Sequence, residues 1–212
     1  FGIAQANVTS SGQDRIWVYN NSYSNAIGVT YNLNEWIDIT LVQTGGVLYV
    51  YKNGILVGST GGTFDAVGGF YIGNGWISAG ATKYFKGDID EVRTYNRALT
   101  ASEILQLYNL SATKVAKTST PTGSLQSGLV GHFTFDGKDM YSNVADVSGN
   151  GNNGTLSGFT STTTTIGKIG QALNFDGTDD YVNLGDKAAW EPPSTQSFSV
   201  AFWYKGLRGS NE

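Results

Sequence analysis

The segment GDIDEVR, Gly87 to Arg93, sets three carboxylates within four residues: Asp88, Asp90 and Glu91. Two carboxylates on one strand face can carry out glycosidic acid/base chemistry, and for retention they stand about 5–5.5 Å apart. A common form of such a pair is Glu-x-Asp-x-x-Glu. Here the pattern is Asp-x-Asp-Glu, and the residue three past Asp90 is Arg93, so the spacing fails. The trio reads instead as a metal ligand or a salt-bridged strand end, and no catalytic residue is expected. His132 is the only histidine, and there is no Cys and no Gly-x-Ser-x-Gly elbow. A Ser-His-Asp site therefore lacks support, and His132 reads as a partly buried strand residue.

Two further stretches are rich in oxygen ligands. Asp136 closes LVGHFTFD, and DVSGNGNNG follows at 146–154. A Ca²⁺ ion takes six to eight oxygens from carboxylates, Asn side chains and backbone carbonyls, and a Gly-rich loop bends sharply enough to aim several inward. The same composition also makes solvated Asx-turn loops. FDGTDDYVNLGD adds Asp176, Asp179, Asp180 and Asp186, which could form a second metal site. Sugar rings stack on exposed aromatics, and Trp76, Tyr84 and Trp190 are the candidates. Trp36 and Trp203 lie in alternating strands and read as core.

The elements that must position these groups are mostly strands. DRIWVY alternates, and EWIDITLV places Ile37, Ile39 and Leu41 on one side, with Trp36, Asp38, Thr40 and Val42 on the other. Lys52-Asn53-Gly54 separates two apolar runs, and Asn-Gly is the favoured type I′ hairpin signal. GGFYIGNG reads as one strand with Trp76 in the loop after it. KYFKGDIDEVRTYNRAL reads as a strand or two with a polar edge. TASEILQLYN carries a Thr N-cap with a Glu three residues later, a capping box. Ile104, Leu105 and Tyr108 are expected to form its apolar face. SATKVAKTSTPTGSLQSG, 111–128, has no apolar pattern and reads as a linker. Beyond it, Gly177-Thr178 reads as a hairpin turn before a core strand containing Tyr181, Val182 and Leu184.

Composition supports this strand-rich reading. The chain has 212 residues, 40% hydrophobic and 13% aromatic, with 29 Gly. That is enough for a core, and Gly, Asn and Ser favour turns between strands. The net charge is −4 with no basic cluster, so nucleic acid is not an expected partner. No run of about 18 apolar residues could span a bilayer as a helix, so membrane insertion is not expected either. The absence of Cys rules out disulfides and thiolate chemistry, and no charged n-region precedes an apolar h-region. Phe1 in place of Met reads as a processed, excised or trimmed product.

GDIDEVRTYNRALTASEILQLYN resembles the C-terminal signature of the laminin-G-like, concanavalin A-like jelly-roll domains. EWIDITLVQTGGVLYVYKNGILVG resembles their central hairpin. GLVGHFTFDGKDMYSNVADVSGNGNNGTLSG, GKIGQALNFDGTDDYVNLGD and FSVAFWYKG resemble the N-terminal half of the same family. The halves stand in reversed order, as in a circularly permuted domain or a chain spanning the junction of two tandem repeats. The resemblance implies an all-β, two-sheet antiparallel jelly-roll sandwich with one short helix. Residues 1–110 would supply the C-terminal half and 129–212 the N-terminal half, together one sandwich. It implies a structural Ca²⁺ where the N-terminal strand, the Gly-rich loop and the Ile-Asp-Glu strand meet, naming Asp90, Asp136, Asp146 and Asn152. It also implies a non-catalytic module at the cell surface or outside the cell that binds glycan or a surface protein, as one repeat of an adhesin-like chain. A glycoside hydrolase or polysaccharide lyase on the same sandwich is the rival reading. A linker of about 18 residues spans roughly 21–25 Å as a flexible coil, so closure within one chain, as a monomer, is expected.

Overall fold

The computed structural model describes residues 2–6, 14–20, 22–61, 70–77, 81–112, 123–140, 143–160, 164–187 and 196–207. The strands before the helix are β1 (Gly2–Ala6), β2 (Asp14–Asn20), β3 (Ser22–Tyr31), β4 (Ile37–Thr44), β5 (Val47–Lys52), β6 (Ile55–Gly61), β7 (Tyr71–Ile72), β8 (Asn74–Ile77), β9 (Ala81–Tyr84) and β10 (Lys86–Tyr95). Helix α1 (Ala101–Ala112) follows. After it come β11 (Leu129–Phe133), β12 (Thr155–Ser157), β13 (Thr164–Ile166), β14 (Gln171–Asp176), β15 (Tyr181–Asn183) and β16 (Phe198–Gly206). The result is a mostly-β antiparallel sandwich with one short α-helix among the described residues, as the sequence implies.

One large sheet runs in the order β13-β14-β10-β16-β4-β5-β6, with β11 also paired to β10. Strands from the two sides of the 111–128 segment alternate in it. β16 lies between β10 and β4, with Asp90 opposite Trp203 and Trp203 opposite Asp38. The other edge of β10 is shared, since β14 takes Lys86 to Ile89 and β11 takes Val92 to Tyr95. β10 is thus an interior strand, buried from Gly87 to Tyr95, and not the polar edge its acids suggest. Asp88 and Glu91 are tolerated because they find ionic or hydrogen-bonding partners within the sheet, described below.

Ile37, Ile39, Leu41, Phe133, Phe175, Phe202 and Tyr204 fill the main core from the large sheet. Ile16, Val18, Val29 and Tyr31 of β2 and β3 enter it from the sheet β1-β2-β3, and Ile72 and Val182 enter from the sheet β12-β15-β7. The second face of the large sheet is covered by α1, where Val42, Tyr95, Ala201, Ile104, Leu107 and Leu125 form a smaller core. Strand β4 is consequently buried on both faces. The Asn53-Gly54 turn has φ of 52° and 79°, the left-handed pair a type I′ hairpin needs.

Three local expectations change. The capping box forms, with Thr100 Oγ1 accepting the Glu103 N–H and Glu103 Oε2 accepting the Thr100 N–H, but Leu105 is 47% exposed. Leu107, three residues on from Ile104, shares its face, whereas an adjacent residue is turned about 100° away. The 111–128 segment begins inside α1 and ends with a 3₁₀ turn, Gly123–Gln126, whose Leu125 is fully buried. Finally, Gly177-Thr178 does not close a hairpin. β14 belongs to the large sheet and β15 to the small one, so the chain turns a corner between layers. Buried Asp180 pins that corner by accepting the Asp176 N–H at 2.9 Å.

Candidate functional site

The partner change along β10 leaves a bulge between Asp90 and Arg93, and Glu91 sits there in the left-handed region at φ 54°. That conformation is costly for a residue with a Cβ and persists only where surroundings hold it. Glu91 Oε2 accepts from Arg93 at 2.5 Å and lies 3.0 Å from His132 Nε2. Burial works to raise the Glu91 carboxyl, but Arg93 and then His132 outweigh it and hold it below its usual range. Burial and Arg93 hold the His132 imidazole below its ordinary value despite Glu91. His132 is therefore a partly buried strand residue, as the sequence implies, with the Glu91 carboxylate as a specific hydrogen-bond partner. No local sequence signal marks this cluster, because the bulge depends on which strands β10 meets.

Asp88 is satisfied differently. Its Oδ2 meets Lys205 Nζ at 2.5 Å and its Oδ1 accepts from Asn174 at 2.6 Å, a row across three strands. Asp88, Asp90 and Glu91 are 3%, 0% and 5% exposed.

Asp90 is the exception in its bonding. Its Oδ2 accepts the Ile169 N–H at 2.9 Å, while its Oδ1 is buried with no hydrogen-bond partner. Burial, and then the neighbouring Glu91, push its carboxyl up to about 8. Asp136 approaches the same turn, its Oδ1 accepting the Gln171 N–H at 2.9 Å, and Gln171 Oε1 accepts the Gly137 N–H at 2.7 Å. The turn must be glycine-rich to fit between them. A Cβ on Gly167 would stand 2.7 Å from Asp90 Oδ2, and one on Gly170 2.2 Å from Asp136 Oδ1. Asp90 and Asp136 thus hold the same turn at Ile169 and Gln171, and carboxylate oxygens are hard donors of the kind Ca²⁺ takes.

Asp146 and Asn152 lie in a different arrangement. Asp146 accepts N–H groups from His132, Ser148 and Asn152, each at 2.9 Å, and Asn152 Nδ2 donates to the Val130 carbonyl. Those bonds outweigh burial and hold the Asp146 carboxyl low. This pair ties the Gly-rich loop to β11. The four residues named for calcium thus divide into Asp90 with Asp136 at one turn and Asp146 with Asn152 in another loop. Among the described residues, the one group of three acids whose ligand atoms lie within 4.8 Å of one another is Asp176, Asp179 and Asp180, at the layer corner.

Asp38 is a further buried acid, opposite Trp203 on β16. Its carboxyl is pushed up to about 7 by burial, against the pull of Thr40 and Arg93. The fold therefore keeps this proton where the unfolded chain, near 3.8, releases it. Stability carried by the protonated form is full below about pH 4 and is lost as pH rises through 7. Asp38→Asn should match the parent near pH 4 and exceed it at pH 8 by at most about 4 kcal/mol, read from urea titrations at the two pH values. Equal stability of the two proteins at pH 8 would show that the buried carboxyl carries no such cost.

The aromatic candidates are also redistributed. Trp76 lies in β8, opposite Thr82, rather than in a loop, and Trp190 lies outside the described residues. Tyr84 is half-buried and meets Tyr181, with ring centroids 6.4 Å apart at 31°. Tyr181 in turn meets Tyr71 at 5.9 Å and 67°. In the sheet β12-β15-β7, Val182 and Ile72 point into the core, so Tyr181, Asn183 and Tyr71 point out by strand alternation. Ser157 stands opposite Tyr181, and Thr155 opposite Asn183. The solvent face of this small sheet thus carries Tyr71 and Tyr181 among hydroxyls and an amide, and Tyr84 of the separate sheet β8-β9 meets Tyr181 at its side. Tyr71 and Tyr181 escape a sequence reading because β7 and β15 are short and distant in the chain.

A sandwich of one long sheet against smaller ones, with a layer-crossing corner and a helix on the outer face, defines a jelly-roll-like β-sandwich domain. Residues 2–105 match the sequence profile of the concanavalin A-like lectin/glucanases superfamily. No curated protein and no solved structure matches the chain. Among the described residues, no helix is long and apolar enough to cross a membrane.

Proposed function

We propose that this domain is a non-catalytic glycan-binding module of an exported or cell-surface protein, held together in part by a structural Ca²⁺. Domains of this superfamily often mediate binding. The observation that carries the glycan reading is the outward cluster of Tyr71, Tyr84 and Tyr181 beside Ser157, Thr155 and Asn183. Pyranose rings bury their C–H faces on aromatic rings while hydroxyl and amide groups bond their hydroxyls. The burial of Asp88, Asp90 and Glu91 supports binding over hydrolysis, since no accessible carboxylate pair stands on that strand.

Calcium would be held by Asp90 and Asp136, and would supply the positive charge that the orphan Asp90 oxygen lacks. Asp146 and Asn152 would shape the neighbouring loop.

A panel of soluble and insoluble polysaccharides tests the function, with binding measured calorimetrically and products by chromatography. Retention of at least one glycan without new reducing ends is expected, and Tyr181→Ala should weaken it about tenfold. Turnover of any panel member, or binding indifferent to Tyr71, Tyr84 and Tyr181 alike, would sink the proposal.

A further inference from the structure

The tyrosine face also limits which glycan can sit on it. Tyr84 and Tyr181 are inclined by only 31°, so together they form a shallow floor. Tyr71 stands at 67° to Tyr181 and makes a wall beside that floor, and it is 41% exposed. A flat array of sugar rings, as on the surface of an insoluble polysaccharide, needs coplanar aromatics and would collide with the wall. One pyranose fits the corner, its face on the floor and its edge against Tyr71.

The rim adds a charge criterion. Asp180 immediately precedes Tyr181, and Asp176 and Asp179 beside it are exposed. The Asp179 backbone closes over the end of β12, where a Cβ on Gly158 would meet its carbonyl at 2.3 Å. Lys187 is at the opposite end of the small sheet, 3.5 Å from the Asn153 carbonyl. Lys86 packs under the corner at Gly177. Asp176 stands opposite Lys86 and its Oδ1 accepts the Thr178 N–H at 2.7 Å, but exposed carboxylates keep further lone pairs that accept hydrogen bonds from vicinal sugar hydroxyls, and they repel carboxylate and sulfate groups.

The geometry points to a single neutral pyranose of a soluble glycan as the occupant of the corner formed by Tyr71, Tyr84 and Tyr181, with Asp176 and Asp179 rejecting acidic sugars. This rests on the glycan-binding reading above and narrows it. The test compares three probes on the intact chain by calorimetry and NMR titration: neutral hexose oligosaccharides, uronate- or sulfate-bearing oligosaccharides of the same length, and insoluble cellulose. Neutral oligosaccharides should bind at least about tenfold tighter than acidic ones, and cellulose should not retain the protein. The double variant Asp176→Asn with Asp179→Asn should narrow that preference, while Tyr71→Ala should weaken neutral binding alone. Tyr-dependent binding that favours acidic glycans, or retention on cellulose, would overturn this inference and leave the glycan-binding function standing. No binding to any probe would overturn both.

Discussion

Residues 1–110 expressed alone should fail to fold. In the intact chain β16 fills the space between β10 and β4 through a continuous ladder on each side, and β14 and β11 cover the other edge of β10. Removing residues 111–212 strips β10 of every strand partner and leaves β4 paired only to β5. It also removes Phe133, Phe135, Phe175, Val182, Phe202 and Tyr204 from the main core. Deleting even one buried Phe side chain costs about 3–5 kcal/mol, against a total stability of about 5–15 kcal/mol for a typical protein. Unpaired edges of such apolar strands also invite aggregation. The fragment should show no cooperative melting transition, and adding residues 123–212 in trans should restore one. A soluble fragment with a sharp transition of its own would refute the single-sandwich account.

Calcium should have the next largest effect. Asp90 belongs to the first segment, and Asp136 with the 167–171 turn to the second, so an ion between them joins strands from both. At a thousandfold excess over its dissociation constant, a ligand that binds only the folded state stabilises it by about 4 kcal/mol. Chelation should lower the melting temperature, calcium should restore it, and Asp90→Ala should abolish the response. A pH signature accompanies this. Asp90 keeps its proton up to about pH 8, so the ion must displace it. Calcium uptake in weak buffer at pH 7 should release protons, and apparent affinity should fall as pH drops below 8. A melting temperature indifferent to both chelator and added calcium would remove the metal from the account.

The strand framework was legible because apolar alternation reports directly on burial. Ile37, Ile39 and Leu41 sort to one core, and Val42 to the other, as their spacing implies. The Asn53-Gly54 hairpin and the Thr100 cap were legible because they are local chemistry. What could not be read depends on long-range pairing. GDIDEVR looks like a polar edge until strands from beyond residue 128 flank it on both sides. The left-handed Glu91, its bond to His132 and the orphan oxygen of Asp90 all follow from that pairing. The candidate ligand face shows the same limit. Tyr84 was visible as an aromatic candidate for stacking, but Tyr181 looked like core because it neighbours Val182 in an apolar run. Only the assignment of β15 to the small sheet turns it outward.

The position of β16 also governs when folding can begin. β10 ends at Tyr95, while its neighbour starts at Phe198, more than a hundred residues later. A ribosome adding about 5–20 residues per second needs roughly 5–20 s to cover that gap. Throughout that interval the central strand has no β16 beside it, and the sheet cannot close as its early segments emerge. The sheet is therefore obliged to stay open until β16 is made. That delay exposes it to aggregation and to chaperones, and it also gives any translocation machinery a window in which the polypeptide is still threadable.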